Sequence, residues 1–468
     1  MTSLSRQLAQ WVVGLKYEDL PAAVVDRAKG VTLHCLASVL LGSQTKPGKQ
    51  AVKLIVEEEA GVKKGATILA DGTKVTRGGA AFAGSEMAYA GGKWDTFRML
   101  THPGTSIIPS ALVAAETAGA SGKDFITAIA AAYEVSERIG ADVIPTMMAR
   151  GFHPGPVTGI FGAAIAAAKI MRLDAEQMNS TIALCVSLAG SNPEAARSGG
   201  KALREGAAVR NAMLAVALAQ NGHAGGDTVL EGEAGFYHAF TGSNTGKLTH
   251  SFTGLTQTSF EKVAENLGKE WIFLETLYRI YSISGYNIAH IDVTAALCKE
   301  HDIRHENVER IEAVVNWLET QYPSPAFPAR REDAQPPQPG MTPYFTAYAV
   351  VNRGFPLLQS WSNSGPPSVT DAAPEVVELM QRTTLIPSHS MTLFGPRITI
   401  YMKDGKVHTK QGTGREFIWD FAEEERRIRG VASGLPIPEA QFEEIIATCR
   451  KLDSEARADK LVQLTIKK

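Results

Sequence analysis

Four cysteines in 468 residues leave little room for disulfide or zinc chemistry. Cys35, Cys185, Cys298 and Cys449 lie far apart, and no CxxC or Cys/His spacing joins them. Three of them fall inside apolar helical patterns. They read as buried free thiols in a reducing compartment, which points to the cytoplasm. A surplus of either charge is missing too: 47 Lys and Arg face 49 Asp and Glu, for a net charge of -2. That balance offers no general attraction to nucleic acid or to a membrane surface. The longest mainly apolar runs, such as Phe125 to Tyr133, are Ala-rich and too short to span a bilayer. The start of the chain, Met1-Thr2-Ser3-Leu4-Ser5-Arg6, lacks the apolar core of a secretory signal. GxSxG, P-loop, HExxH and GxGxxG-after-strand signatures are also absent, which argues against the usual hydrolase, nucleotide and nicotinamide chemistries.

What is present is a long series of small-residue helical patterns. With 44% hydrophobic residues the chain is ordinarily globular, and its length allows two to four domains. Apolar spacing predicts helices over 4–15, 21–41, 49–59, 78–91, 107–119, 123–140, 173–188 and 202–220, and a further small-residue helix runs over 162–171. Asp174 is a plausible cap for the seventh of these. Residues 66–75 read as a short hairpin turning at Asp71-Gly72. Beyond Trp271 the character changes. Residues 310–318 fit strand or helix, 323–343 are crowded with prolines, and 397–411 form the clearest hairpin, turning at Lys403-Asp404-Gly405-Lys406. Two amphipathic helices, 439–452 and 454–464, close the chain. The expectation is a mostly α protein. An all-helical bundle domain is formed by both ends of the chain, residues 1–268 and 412–468, and a smaller α+β domain is inserted at 269–411.

Three polar residues share a setting. His102 lies in Thr-His-Pro-Gly-Thr-Ser, His153 in Phe-His-Pro-Gly-Pro, and Lys201 in Ser-Gly-Gly-Lys. Each sits in or just after a loop and closely precedes a helix. Proline suits a first helical turn, so each histidine is held near a helix N-terminus, where free N–H groups favour an anion. An imidazole titrates near neutrality and can move a proton; an ammonium can hold a carboxylate, or act as a base when burial lowers its pKa. The bland alternative is a set of helix starts with tolerated loop residues. Arg204 lies on the Lys201 helix as a candidate site residue, while Arg210 beyond it reads as surface and His34 as a core histidine.

At these residues the chain resembles the MmgE/PrpD family, which includes 2-methylcitrate dehydratase, cis-aconitate decarboxylase and iminodisuccinate epimerase. The resemblance is strongest at 95–103, 151–162, 200–211 and 230–236, and weaker at 278–292, in the hairpin and in the last helices. It implies a helical domain built from both ends of the chain with a smaller α+β lid, homodimers, and catalysis without metal or organic cofactor. In the decarboxylase pattern the site holds residues that resemble Asp95, Thr96, His102, His153, Lys201 and Tyr322. Two blocks depart. The usual Asp-x-Asp-Asp-Thr reads Gly92-Lys93-Trp94-Asp95-Thr96, and the usual Lys-x-Tyr-Pro-x-Cys reads Arg279-Ile280-Tyr281-Ser282-Ile283-Ser284. Arg279 can still clamp a carboxylate but does not give up its proton. Arg204 stands where the family has a His. Two acids fewer and Lys93 added make the expected pocket more basic.

The resemblance implies a cofactor-independent lyase, of dehydratase or decarboxylase type, acting on a small di- or tricarboxylate. His102 and His153 would move protons alpha to a carboxylate, Lys201 and Arg279 would bind carboxylates, and Tyr322 would donate a proton or orient the substrate. Thr96, Asp95 and Arg204 would line the substrate. Two rivals stand beside it: an epimerase or isomerase, and a carboxylate-binding relative without turnover, the latter motivated by Gly92 and Arg279. All three require the two imidazoles and the ammonium, distant in sequence, to meet in a cleft.

Overall fold

A computed structural model describes residues 2–193, 200–320, 341–358 and 373–467, and the side chains of all of these except 200–202. The chain divides into two compact units. The first, Met1–Thr249 with Thr256–Ile280 and Trp419–Lys468, is dominated by helices. They begin with α1 (Leu4–Gly14), α2 (Ala22–Gly42) and α3 (Lys46–Glu59). An antiparallel pair, β1 (Ala66–Thr67) and β2 (Lys74–Val75), leads into α4 (Arg77–Gly91) and then β3 (Trp94–Thr96). After these come α5 (Pro103–Ala118), α6 (Gly122–Gly140), α7 (Ile144–Ala149), α8 (Pro154–Ile170) and α9 (Ala175–Leu188). The run ends with α10 (Gly200–Gln220), α11 (Phe236–Thr241) and β4 (Leu277–Arg279).

The second unit, His250–Leu255 with Tyr281–Ile418, is α+β. It holds α12 (Gly285–Glu300), β5 (Val308–Asn316), α13 (Thr342–Asn352), α14 (Pro374–Gln381), β6 (Thr383–Ser388), β7 (Arg397–Met402) and β8 (Val407–Gln411). Its sheet runs β6-β5-β7-β8, parallel between β5 and β6 and antiparallel elsewhere. The last helices, α15 (Phe421–Ile428), α16 (Glu439–Arg450) and α17 (Lys460–Thr465), belong to the first unit.

The small residues of the first unit let helices touch backbone to backbone. A Cβ on Gly42 of α2 would stand 1.8 Å from the Met87 carbonyl oxygen of α4. One on Gly91 of α4 would stand 1.8 Å from the Ser38 carbonyl oxygen of α2. Between α5 and α8, a Cβ on Gly162 would meet the Ile107 side chain at 2.8 Å. No side chain larger than hydrogen fits these crossings at the observed separation. The four cysteines are buried free thiols.

Several details differ from the sequence reading. Residues 269–280 pack with the first unit, because β4 pairs antiparallel with β3, with Trp94 opposite Arg279. That unit therefore contains short strand pairs as well as helices. Ambiguous residues 310–318 fall largely in strand β5, where Ile311, Ala313 and Val315 alternate inward. Helix α5 starts at Pro103, four residues before the expected start, since Pro103 occupies its first turn. The closing segment 454–464 is helical only from Lys460. A 3-10 turn at Leu452–Ser454 and an irregular stretch precede it. No helix among the described residues is long and apolar enough to cross a membrane.

Candidate active site

His102 is the N-cap of α5 and His153 is the N-cap of α8, each followed directly by proline. Lys201 is the second residue of α10, and its side chain lies outside the described residues, as does all of Tyr322. Helices α5 and α8 pack along one another, and α10 packs on α8. His102 lines a void of about 10 Å³ together with Gly155, Thr158 and Gly159 of the first turns of α8. That is room for roughly one water molecule.

Short strand β3 does most of the positioning. Asp95 turns its carboxylate away from the imidazoles, onto the Gly104 N–H at 2.9 and 3.0 Å and the Tyr133 hydroxyl. It thereby satisfies a free donor in the first turn of α5, where an anion is favoured. Burial raises its pKa, opposed by the Tyr133 and Gly104 bonds. Asp95, expected to line the substrate, thus has its carboxylate bonded to these two partners. Its backbone does bear on the chemistry: the Asp95 carbonyl oxygen lies 3.1 Å from His102 Nδ1, and Thr96 Oγ1 lies 3.2 Å from the same nitrogen. A carbonyl can only accept, so Nδ1 carries the proton and donates it.

His102 Nε2 is then a lone pair. Arg279 Nη1, delivered by β4, donates to it at 3.3 Å. Burial, the Arg279 charge, and smaller effects of His153 and Arg204 hold the His102 pKa well below its usual value against the Asp95 carbonyl. The ring is a neutral base, 6% exposed. Trp94 packs on it at 4.5 Å between centroids, and the Arg279 guanidinium lies 4.4 Å from the Trp94 ring centre. Tyr89 stacks on Trp94 at 4.5 Å and accepts from Arg204 Nη2 at 3.0 Å.

Around the imidazoles lie buried groups of both signs. Arg204, Arg279 and Lys93 are each less than a tenth exposed. Burial, followed by the Arg279 charge, brings Lys93 down to about 7. Glu205 of α10 is 1% exposed, and burial lifts it to about 7 against the opposing effects of Arg204 and Ser106. Glu86 of α4 is lifted to about 8 by burial, against the Gly206 N–H and with the Glu205 charge adding to it. Below neutrality these two carboxyls are therefore held largely uncharged while the guanidiniums are not, so the pocket is cationic. The sequence shows the added Lys93 but does not mark Glu86, which lies in no motif, or Glu205, which lies unremarked inside the 200–211 block. Arg210, by contrast, pairs with Glu59 at 2.6 Å on the surface, and His34 is a core residue bonded to Glu424, both as read from the sequence.

This arrangement can bind anions and move protons. Residues 6–249 match the MmgE/PrpD N-terminal domain. The chain belongs to the MmgE/PrpD family. It is 25% identical to a cis-aconitate decarboxylase-like protein of Aspergillus oryzae over 427 residues, covering 86% of this chain and 85% of that one. A cis-aconitate decarboxylase of Aspergillus terreus is 24% identical over 432 residues, covering 87% of this family member and 84% of the relative. The human cis-aconitate decarboxylase is 26% identical over 290 residues, 58% of each chain.

Proposed function

We propose that this family member is a lyase, of decarboxylase or dehydratase type, that acts on a small di- or tricarboxylate without a cofactor. The observation that carries the reading is His102: a neutral imidazole whose unprotonated Nε2 accepts from a guanidinium, inside a buried cationic cluster. A substrate carboxylate competes for Arg279 and releases the Nε2 lone pair at the moment the substrate arrives. Nε2 then accepts the proton alpha to that carboxylate. Arg279 and Arg204 stabilise the negative charge that develops, in a site where few waters compete with them. In dehydration the resulting carbanion expels the beta hydroxyl, which takes a proton and leaves as water. In decarboxylation the order is reversed: CO2 departs leaving its electron pair on the alpha carbon, and an imidazole that has gained a proton delivers it there. In this reading His153, the N-cap of α8, exchanges the other proton, and Lys201 keeps the carboxylate-binding role that the family resemblance implies. The named relatives, cis-aconitate decarboxylases, support the same class of reaction.

The test is a panel of di- and tricarboxylates read by mass, in H2O and in D2O. Loss of CO2 or of water identifies the lyase. Deuterium gained at the alpha carbon with no other change identifies an epimerase instead. Binding that raises the melting temperature with neither change identifies a relative without turnover. His102→Asn keeps a donor for the Asp95 carbonyl but removes the base. It should lower kcat by about 10²- to 10⁴-fold with little change in melting temperature. Undiminished turnover in that variant would remove His102 from the mechanism.

A further inference from the structure

Glu205 has no place in the reaction just described, yet it is built into the site. It is 1% exposed, and it lies on α10 at the crossing with α8. A Cβ added to Gly155, two residues after His153, would sit 2.8 Å from Glu205 Oε1 and 3.2 Å from His153 Cε1. The carboxyl and the imidazole therefore flank the same bare Cα. The Leu100 carbonyl oxygen, also 2.8 Å from that point, closes the third side. Further along α8, Gly159 leaves similar room: its Cβ would lie 3.0 Å from Ser106 Oγ and 4.0 Å from Glu205 Oε2. Two glycines spaced four apart on one face of α8 make a groove, and the Glu205 carboxyl occupies it. Within it, among the described residues, Oε1 has no hydrogen-bond partner, and Arg204 Nε lies 3.9 Å away. A buried carboxyl oxygen without a donor is costly in a finished core. It makes sense beside a group that gains a proton during turnover.

We propose that Glu205 is the charge partner of His153: seated in the groove left by Gly155 and Gly159, its carboxyl supplies the negative charge that balances the ring when it becomes imidazolium. This rests on the proposed role of His153 as a proton-exchanging group. Among the described residues, the other titratable and charged groups coupled to Glu205 are Arg204 on its own helix and Glu86 and Tyr89 on α4. Arg204 and Glu86 act oppositely on its charge, and His102 stays neutral. Burial keeps Glu205 protonated up to about 7 when the imidazole is neutral. The carboxyl passes that proton to the neutral imidazole. The pair then holds opposite charges, and only a proton has moved.

The experiment uses the full chain with Glu205→Gln, which keeps shape and hydrogen bonding but cannot ionise, and Glu205→Asp, which ionises but sits back from the groove. The His153 pKa is read directly by NMR of histidine-labelled protein, assigned with a His153→Gln control. An opposite charge within a few ångströms raises an imidazole pKa by about one unit or more. In Glu205→Gln the His153 pKa should fall by about that amount, with partial recovery in Glu205→Asp. Where a substrate has been found, kcat should fall about tenfold or more while KM changes little, and the limb of the pH profile that reports His153 should move to lower pH. An unmoved His153 titration in a folded Glu205→Gln protein would overturn the proposal. A shifted titration in a protein inert to every carboxylate would leave Glu205 coupled to His153 and would refute the lyase reading instead.

Discussion

Glu86 offers a test of the buried electrostatics that needs no substrate. Its side chain is 5% exposed, Oε1 has no hydrogen-bond partner among the described residues, and burial raises its pKa from 4.5 to about 8. A carboxyl with a raised native pKa binds its proton more tightly in the folded chain than in the unfolded one. Folding stability is then undiminished below the unfolded pKa and declines as pH rises toward the folded one. The slope is about -1.4 kcal/mol per pH unit inside that window, so the full shift corresponds to about 5 kcal/mol at its upper end. Glu86→Gln removes the titration and keeps the volume. Its stability relative to the native chain should therefore rise between about pH 5 and about pH 8, by several kcal/mol. Glu205 contributes in the same direction and over a narrower range, since its pKa is raised to about 7. Losing the Glu86 charge also relieves Glu205, so the variant should flatten the pH dependence by more than one group's share. Denaturant unfolding followed by circular dichroism at three pH values measures this. Parallel curves for the two proteins, with the same midpoint shift at every pH, would refute a charge-burial cost at Glu86.

Gly91→Ala drives a methyl group into the Ser38 carbonyl oxygen, 1.8 Å from the new Cβ. α2 and α4 must separate, which should cost about 3 kcal/mol or more and show as a large fall in melting temperature or in soluble yield. His34 and Glu424 form a buried pair at 2.7 Å, 1% and 0% exposed. Glu424→Ala strands the imidazole and should destabilise the chain by about 3–5 kcal/mol. Burial opposes the His34 charge, but Glu424, Asp95 and the Arg279 carbonyl outweigh it and raise its pKa. The stability this pair contributes is therefore complete below about 6.5, the unfolded histidine value, and fades as pH rises through the higher folded one. Comparing native and Glu424→Ala melting temperatures across that range checks the sign: the gap should narrow on the alkaline side.

The helices were legible because their stops and starts are chemical. Asp174 caps α9 through a reciprocal pair with Gln177, and the Pro-Gly runs after His102 and His153 open α5 and α8 where the missing N–H groups are not needed. The 397–411 hairpin announced itself through Asp404-Gly405, with Gly405 at φ 88°. Strand β3 did not. Three residues between a glycine pair and a loop carry no period, and their partner lies at 277–279. The same gap hides the meeting of Arg279 with His102, which the sequence marks only as separate residues. Asp95 was read by type, as a carboxylate near the chemistry. Its carboxylate is committed to Gly104 and Tyr133, and its useful atom is a backbone oxygen that any residue would supply. Glu205 and Glu86 were silent because a glutamate on a helix is ordinarily a solvated one. What marks them is the hollow that Gly155, Gly159 and Gly206 leave for their carboxyls. The roles foreseen for Lys201 and Tyr322 fall on atoms outside the described residues.

The β3–β4 pairing has a consequence for how the molecule comes to life on the ribosome. Residues 6–249 carry the family domain, both imidazoles and the start of α10. They carry neither Arg279 nor the Glu424 that steadies His34 from α15. An emerging chain can assemble its helices long before it can complete its pocket. The nascent domain stays chemically unfinished until a late three-residue strand is stitched beside Trp94.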